Sequence, residues 1–197
     1  MSISATTDVA IEPARGPAVE HPVSSPAAAP AIARHPLLGV AIVTLVALAV
    51  ATFGLTAHAL VVAFAATTLA VLAAIDIEHR VLPNRIVLPA AVIVALAQVA
   101  VFPDDALAWL LAGPAAAAFL ALPLIVRRDA VGLGDVKLAL LLGACVGWRV
   151  FGAIVIGCIA MLPVALLMLG RDGSIRNAKV PFGPFLALGT LLIMYTS

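Results

Sequence analysis

Charge is what this chain has least of. Lys, Arg, Asp and Glu together make up 11% of its 197 residues, against roughly a quarter in ordinary soluble domains. Apolar residues make up 64%, and the mean hydropathy is +1.20. That balance excludes a soluble globular domain and predicts a polytopic membrane protein. Cysteine is also scarce. Cys145 and Cys158 both lie inside apolar runs, so neither a disulfide framework nor a four-cysteine zinc site can be built from them, and both read as small apolar packing residues. No block of Lys and Arg marks a nucleic-acid surface, and no internal repeat is evident. The net charge of +1 carries little weight, because in a membrane protein the position of each charge matters more than the sum.

What the chain does have is a series of apolar runs. Residues 1–36 are rich in Pro, Ala, Ser and Thr without periodicity, and the composition predicts a disordered tail. From Leu37 to Ala57 no charge interrupts the chain, enough for a helix to cross a hydrocarbon core, which takes about 20 residues. The Ala57-His58-Ala59 triplet resembles a signal-peptidase site, but the long tail before it argues for a retained anchor. Further apolar segments at 59–75, 86–102, 106–126, 136–148, 150–170 and 180–197 bring the expected helices to seven. Gly and Pro inside them, such as Pro89, Gly113, Pro114, Pro123, Gly143, Gly157 and Pro163, are tolerable in membrane helices, whose freed carbonyls neighbouring groups can satisfy.

Basic residues give the orientation. With a cytoplasmic tail and seven crossings, the tail, the loops at 76–85, 127–135 and 171–179, and Lys137 carry Arg15, Arg34, Arg80, Arg85, Arg127, Arg128, Lys137, Arg171, Arg176 and Lys179, ten of eleven basic residues. Arg149 alone falls on the other side. The positive-inside rule then places the N-terminus in the cytoplasm.

Eight of the ten acidic residues sit where a charge stays hydrated: three in the tail, Asp104 and Asp105 in an outer loop, and Glu78, Asp129 and Asp172 in cytoplasmic loops. Asp76 and Asp135 remain, one ending the second segment and one beginning the fifth. If Trp148 and Arg149 mark the outer interface, thirteen residues at about 1.5 Å each put Asp135 roughly 20 Å below it, inside a core of roughly 30 Å. A carboxylate at such depth needs a watered cavity or a partner. Each aspartate has a plainer reading taken alone: Asp135 as the N-cap of a helix starting at Val136, Asp76 as an interfacial charge. Together, two carboxylates within a few Å would share a proton, one acting as base and the other as acid, the arrangement that activates water against an amide without a covalent intermediate.

Three stretches then become recognisable: "DIEHRVLPNRIVLP" at 76–89, "GLGDVKLALLLG" at 132–143 and "KVPFGPFLALG" at 179–189. In this order they resemble the type IV prepilin peptidases, membrane aspartic proteases of the G-x-G-D class, over roughly residues 59–197. The resemblance implies an all-α polytopic membrane protein with about seven transmembrane helices, in which an extra helix at 37–57 precedes a six-helix peptidase core within 58–197. It makes Asp76 and Asp135 the catalytic pair. Gly132, Gly134, Lys137, Pro83, Asn84, Pro181, Phe182, Gly183 and Pro184 become candidates for substrate binding or structural support, with no metal and no cofactor. The reaction it implies is removal of a short basic prepilin or pseudopilin leader at the cytoplasmic face of the bacterial inner membrane. The lipid bilayer and the pilus assembly machinery are then the other partners. Small stand-alone members are similar to Tad/Flp peptidases, so an Flp-type substrate is expected. Bifunctional relatives carry a domain with two C-x-x-C pairs that N-methylates the new terminus, and with no such pairs here methylation is not expected.

Residue by residue, Asn84 reads as the N-cap of the third helix. Lys137, about 200° around the helix from Asp135, is expected to reach the interface rather than pair with that carboxylate. His79 reads as a solvated loop residue, Pro184 as a first helical position and Gly183 as a tight entry. The glycines before Asp135 permit close approach of another chain. Three other classes were open. A transporter using the aspartates as a proton or cation relay needs polar residues across the membrane, and Thr44, Thr67, Thr68 and Gln98 are few. A presenilin-like protease lacks its Y-D and P-A-L motifs here, since Ile75 precedes Asp76. A purely structural subunit leaves the three ordered motifs unexplained.

Overall fold

The computed structural model describes residues 36–126, 132–172 and 181–196. The expected tail, the segment with Arg127, Arg128 and Asp129, and the segment with Arg176 and Lys179 lie outside the described residues, as do the side chains of Arg171 and Asp172. Within them are seven α-helices and no strand: α1 (Pro36–Phe53), α2 (Ala57–His79), α3 (Asn84–Val101), α4 (Ala106–Val126), α5 (Leu133–Val146), α6 (Val150–Asp172) and α7 (Gly183–Tyr195). Short 3-10 turns at Pro103–Asp105 and Gly147–Arg149 lead into α4 and α6.

The chain is an all-α, multi-pass membrane protein. Five stretches are long and apolar enough to span: Pro36–Phe53, Ala57–His79, Asn84–Val101, Pro103–Leu124 and Leu133–Leu167, the last running through α5 into α6. Helix α7 is apolar but has 13 residues. Large apolar side chains point outward, as lipid permits; Leu37 is 81% exposed and Leu60 72%.

Helix ends follow local chemistry. Thr56 caps α2, its hydroxyl accepting from the Ala59 N–H at 3.2 Å. Arg80 ends the same helix in the left-handed region (φ 52°), its N–H donating to the Asp76 carbonyl at 2.9 Å. Because α2 runs on to His79, Asp76 lies inside the helix rather than at its end. Helix α5 begins at Leu133 with Gly132 as its cap. Asp135 is therefore a first-turn residue and not the N-cap.

Helix α5 is the centre of the bundle. Leu138, Ala139 and every residue from Leu141 to Val146 are buried, whereas α1 buries only Ala49. A helix apolar all round belongs inside a protein, and one surrounded by protein has no lipid thickness to match. Helices α3, α4 and α7 pack on α5, and α2 packs on α1, α3 and α7. Helix α1 is tied down by the Tyr195 hydroxyl, which donates to the Leu45 carbonyl at 2.7 Å.

Close crossings depend on glycine. A methyl on Gly113 would lie 2.7 Å from the Leu140 carbonyl oxygen, and one on Gly143 would lie 2.6 Å from the Ala112 backbone carbon. Gly157 and Gly189 do the same for α6 against α7. Without a solvophobic drive between helices in lipid, such backbone contact is the main source of packing energy. Gly143→Leu should therefore lower the melting stability of the detergent-purified protein by about 1–3 kcal/mol or more. Gly39→Leu, at a position with nothing within 4 Å, should leave melting unchanged.

Candidate active site

The three motif stretches meet at one end of the bundle. Leu82, buried beside Pro83, packs on the first turn of α5, where a methyl on Gly134 would touch its side chain at 3.4 Å. The Lys137 ammonium donates to the Asn84 side-chain oxygen at 3.0 Å. The Gly183 N–H, first in α7, donates to the Asp76 carboxylate at 3.1 Å. Three contacts thus join α2, α3, α5 and α7 around two aspartates.

Asp76 is 6% exposed. A carboxylate so buried needs a donor, and it receives a main-chain N–H from the start of a helix, where the dipole favours negative charge. Gly183 cannot be larger: a methyl there would lie 2.6 Å from the Asp76 carboxylate oxygen. Pro184 follows in the first turn of α7, where a missing N–H costs nothing. Pro181 and the partly buried Phe182 form the approach, Phe182 packing on the core.

Asp135 is half-buried at the start of α5. It lies at the same end of the bundle as Asp76, on the first turn of α5, against which Leu82, six residues past Asp76, packs. Its carboxylate leans over Gly132, where a methyl would lie 3.2 Å from the nearer oxygen. So one carboxylate is enclosed and fixed by a backbone donor, and the other is more accessible.

Other expectations fare unevenly. Asn84 is the first residue of α3, and Pro83 occupies the cap position without a side-chain bond; the Asn84 amide serves Lys137 instead, so it is not an N-cap. The Lys137 ammonium, expected to reach the interface, is engaged by Asn84. His79 is exposed, with Nδ1 3.7 Å from Glu78. Cys145 is in the core and Cys158 faces outward, both free. Of the polar residues that a relay would need, Thr44 and Thr68 donate to carbonyls one turn back in their own helices, and the Gln98 side chain donates across to the Cys145 carbonyl. The Gly183 contact was hidden in the sequence, since its partner lies 107 residues away. The only available signal was a Gly-Pro pair at an apolar helix start.

A model of the type IV leader peptidase family matches residues 63–169. The chain is 32% identical over 152 residues to the prepilin leader peptidase/N-methyltransferase of Legionella pneumophila, covering 73% of this chain and 52% of that protein. For the proteins of the same name from Pseudomonas aeruginosa and Burkholderia pseudomallei, identity is 29% over 161 residues and 33% over 176, covering 79% and 80% of this chain and 56% and 53% of those proteins. The chain spans about half the length of these relatives. No solved structure matches it.

The Lys137–Asn84 contact should show as coupling. In a double-mutant cycle on melting stability, Asn84→Ala and Lys137→Met should be non-additive by about 0.5–1 kcal/mol, and strict additivity would mean the contact contributes nothing.

Proposed function

The chain belongs to the type IV leader peptidase family, and from that premise we propose that it is a membrane aspartic endopeptidase that removes the leader of prepilins or pseudopilins. Asp76 and Asp135 are its catalytic pair. What supports this reading above all is that both stand at the end of the bundle where the three motif stretches come together, with Asp76 held by the Gly183 N–H.

The pair shares one proton, and a water bound between the carboxylates is the nucleophile. The ionised carboxylate takes a proton from that water as its oxygen attacks the scissile carbonyl carbon. The protonated partner gives its proton toward the carbonyl oxygen. Collapse of the tetrahedral intermediate breaks the C–N bond, and the amine leaves with a proton from the pair. General acid–base steps of this kind contribute about 10²–10⁴-fold each. The backbone donor keeps Asp76 oriented through the cycle, and the greater exposure of Asp135 gives water and peptide a route in.

Orientation and substrate extend the same reading. With seven crossings, ten of the eleven basic residues of the sequence fall on the aspartate side, which supports a site at the cytoplasmic face, where a short basic leader preceding an apolar helix can reach it. Residues 58–197 form the peptidase core, with α1 added along α2, and an Flp-type prepilin is the expected substrate. The relatives' names also include an N-methyltransferase; the present reading is confined to the peptidase half.

In membranes containing candidate prepilins, Asp76→Asn and Asp135→Asn should each insert normally and lower leader removal, read by mass spectrometry, by about 10³-fold or more. Cleavage surviving both changes would remove the aspartates from the mechanism, and transport without cleavage would favour the relay. Gly183→Ala should cost at least about 10²-fold in kcat/KM by displacing the carboxylate, whereas Gly134→Ala, meeting only the Leu82 side chain, should cost less than about 10-fold.

A further inference from the structure

The end of the bundle opposite the aspartates holds a cavity of about 450 Å³. It forms where the α1–α2, α3–α4 and α5–α6 connections come together, with His58, Phe102, Asp105, Trp109, Trp148 and Arg149 in its lining. Helix α2 carries His58 at one end and Asp76 at the other, eighteen residues apart, or roughly 27 Å along the axis. The cavity is thus separate from the aspartate site, and the peptidase reading makes no use of it.

Its walls are aromatic and its rim is charged. Phe102 stacks on Trp109 with ring centres 6.1 Å apart, and His58 meets Phe102 edge-on at 5.2 Å. The Trp109 indole N–H is buried without an acceptor among the described residues, although buried indole N–H groups usually find one. Gln98, 1% exposed, donates to the carbonyl of Cys145 on the cavity wall and leaves its own side-chain oxygen unpartnered. Among the described residues, the side chains of Asp105 and Arg149 have no ionic partner, and they do not pair with each other. Arg149 is also the one basic residue that the charge asymmetry left on this side.

Asp105 and Arg149 are exposed in the lining and the Trp109 N–H is buried beside them, so an occupant that supplies a cation, an anion and a hydrogen-bond acceptor together would match all three, at the boundary where apolar spans end. An acyl chain or an apolar helix would bury Asp105 and Arg149 unpaired, and an anionic headgroup has nothing for Asp105. We propose that this cavity is a binding site for a zwitterionic phospholipid headgroup of the ethanolamine type. Its ammonium lies against Asp105 and the aromatic faces, and its phosphate lies on the Arg149 guanidinium with the Trp109 N–H as a further donor.

Both tryptophans of the chain line the cavity, so intrinsic fluorescence reports on it directly. The full-length protein in non-ionic detergent would be titrated with dihexanoyl phosphatidylethanolamine, dihexanoyl phosphatidylglycerol and inorganic phosphate. The ethanolamine lipid should give a saturable change. Its apparent Kd should weaken by about tenfold or more, equivalent to about 1.4 kcal/mol, in Arg149→Gln, and Asp105→Asn should erase its preference over the glycerol lipid. Thermal melting confirms that each variant is folded; should Arg149→Gln fail that check, the Asp105→Asn comparison decides alone. A response that never saturates, equal binding by folded Arg149→Gln, a preference surviving Asp105→Asn, or equal saturation by phosphate or phosphatidylglycerol would each overturn the proposal.

Discussion

One buried hydrogen bond organises the aspartate end of this protein: the Gly183 N–H donating to the Asp76 carboxylate at 3.1 Å. Leaving a charge 6% exposed without a donor would cost several kcal/mol, and the chain meets that need with a main-chain group at a helix start. The solution has consequences elsewhere. Helix α7 must begin within reach of α2, so residue 183 can carry no side chain. To hold that position α7 lies tightly on α6 through Gly157 and Gly189 and against α2 and α5. Tyr195 at its far end then fastens α1.

The bundle divides its polar chemistry between its two ends. Helix α5 runs between them, with Asp135 in its first turn and the glycine-aromatic turn at Gly147–Arg149 just beyond its last. Between these ends the interior is Leu, Ala and Val, and hydroxyls such as Thr190 are satisfied within their own helix. A continuous polar path through the membrane is not what such an interior builds. Among the described residues the charged side chains lie toward the two ends of the bundle, which suits a site that works on a segment lying beside an apolar helix.

Much of this was legible before any coordinates. Seven apolar segments became seven helices with ends shifted by a few residues, because charge scarcity and length decide spans in lipid more strongly than local propensity does. The two aspartates stood out as the acidic residues left over once hydrated positions were assigned. Lys137 was expected to reach the interface rather than pair with Asp135, and its ammonium donates to Asn84. Three-dimensional partners were not legible. Asn84 was expected to cap α3, yet its amide serves Lys137, 53 residues away. The helix starting at Leu133 rather than Val136 took the cap role from Asp135. Gly113, Gly143 and Gly157, which make the close crossings, read only as tolerated glycines, because which helices touch is a property of the whole bundle. The aromatic cavity, assembled from three connections, left no local signal beyond the stray Arg149.

Whether the two carboxylates meet can be measured without substrate. In a chain carrying Cys145→Ala and Cys158→Ala, the pair Asp76→Cys and Asp135→Cys would be treated in membranes with a short bifunctional thiol reagent, and the intramolecular bridge read by mass spectrometry. Thr44→Cys with Asp135→Cys serves as a control. The aspartate-derived pair should bridge in high yield and the control should not. Two thiols that react fully after denaturation but never bridge with the short reagent in the folded protein would contradict the shared site on which the account stands.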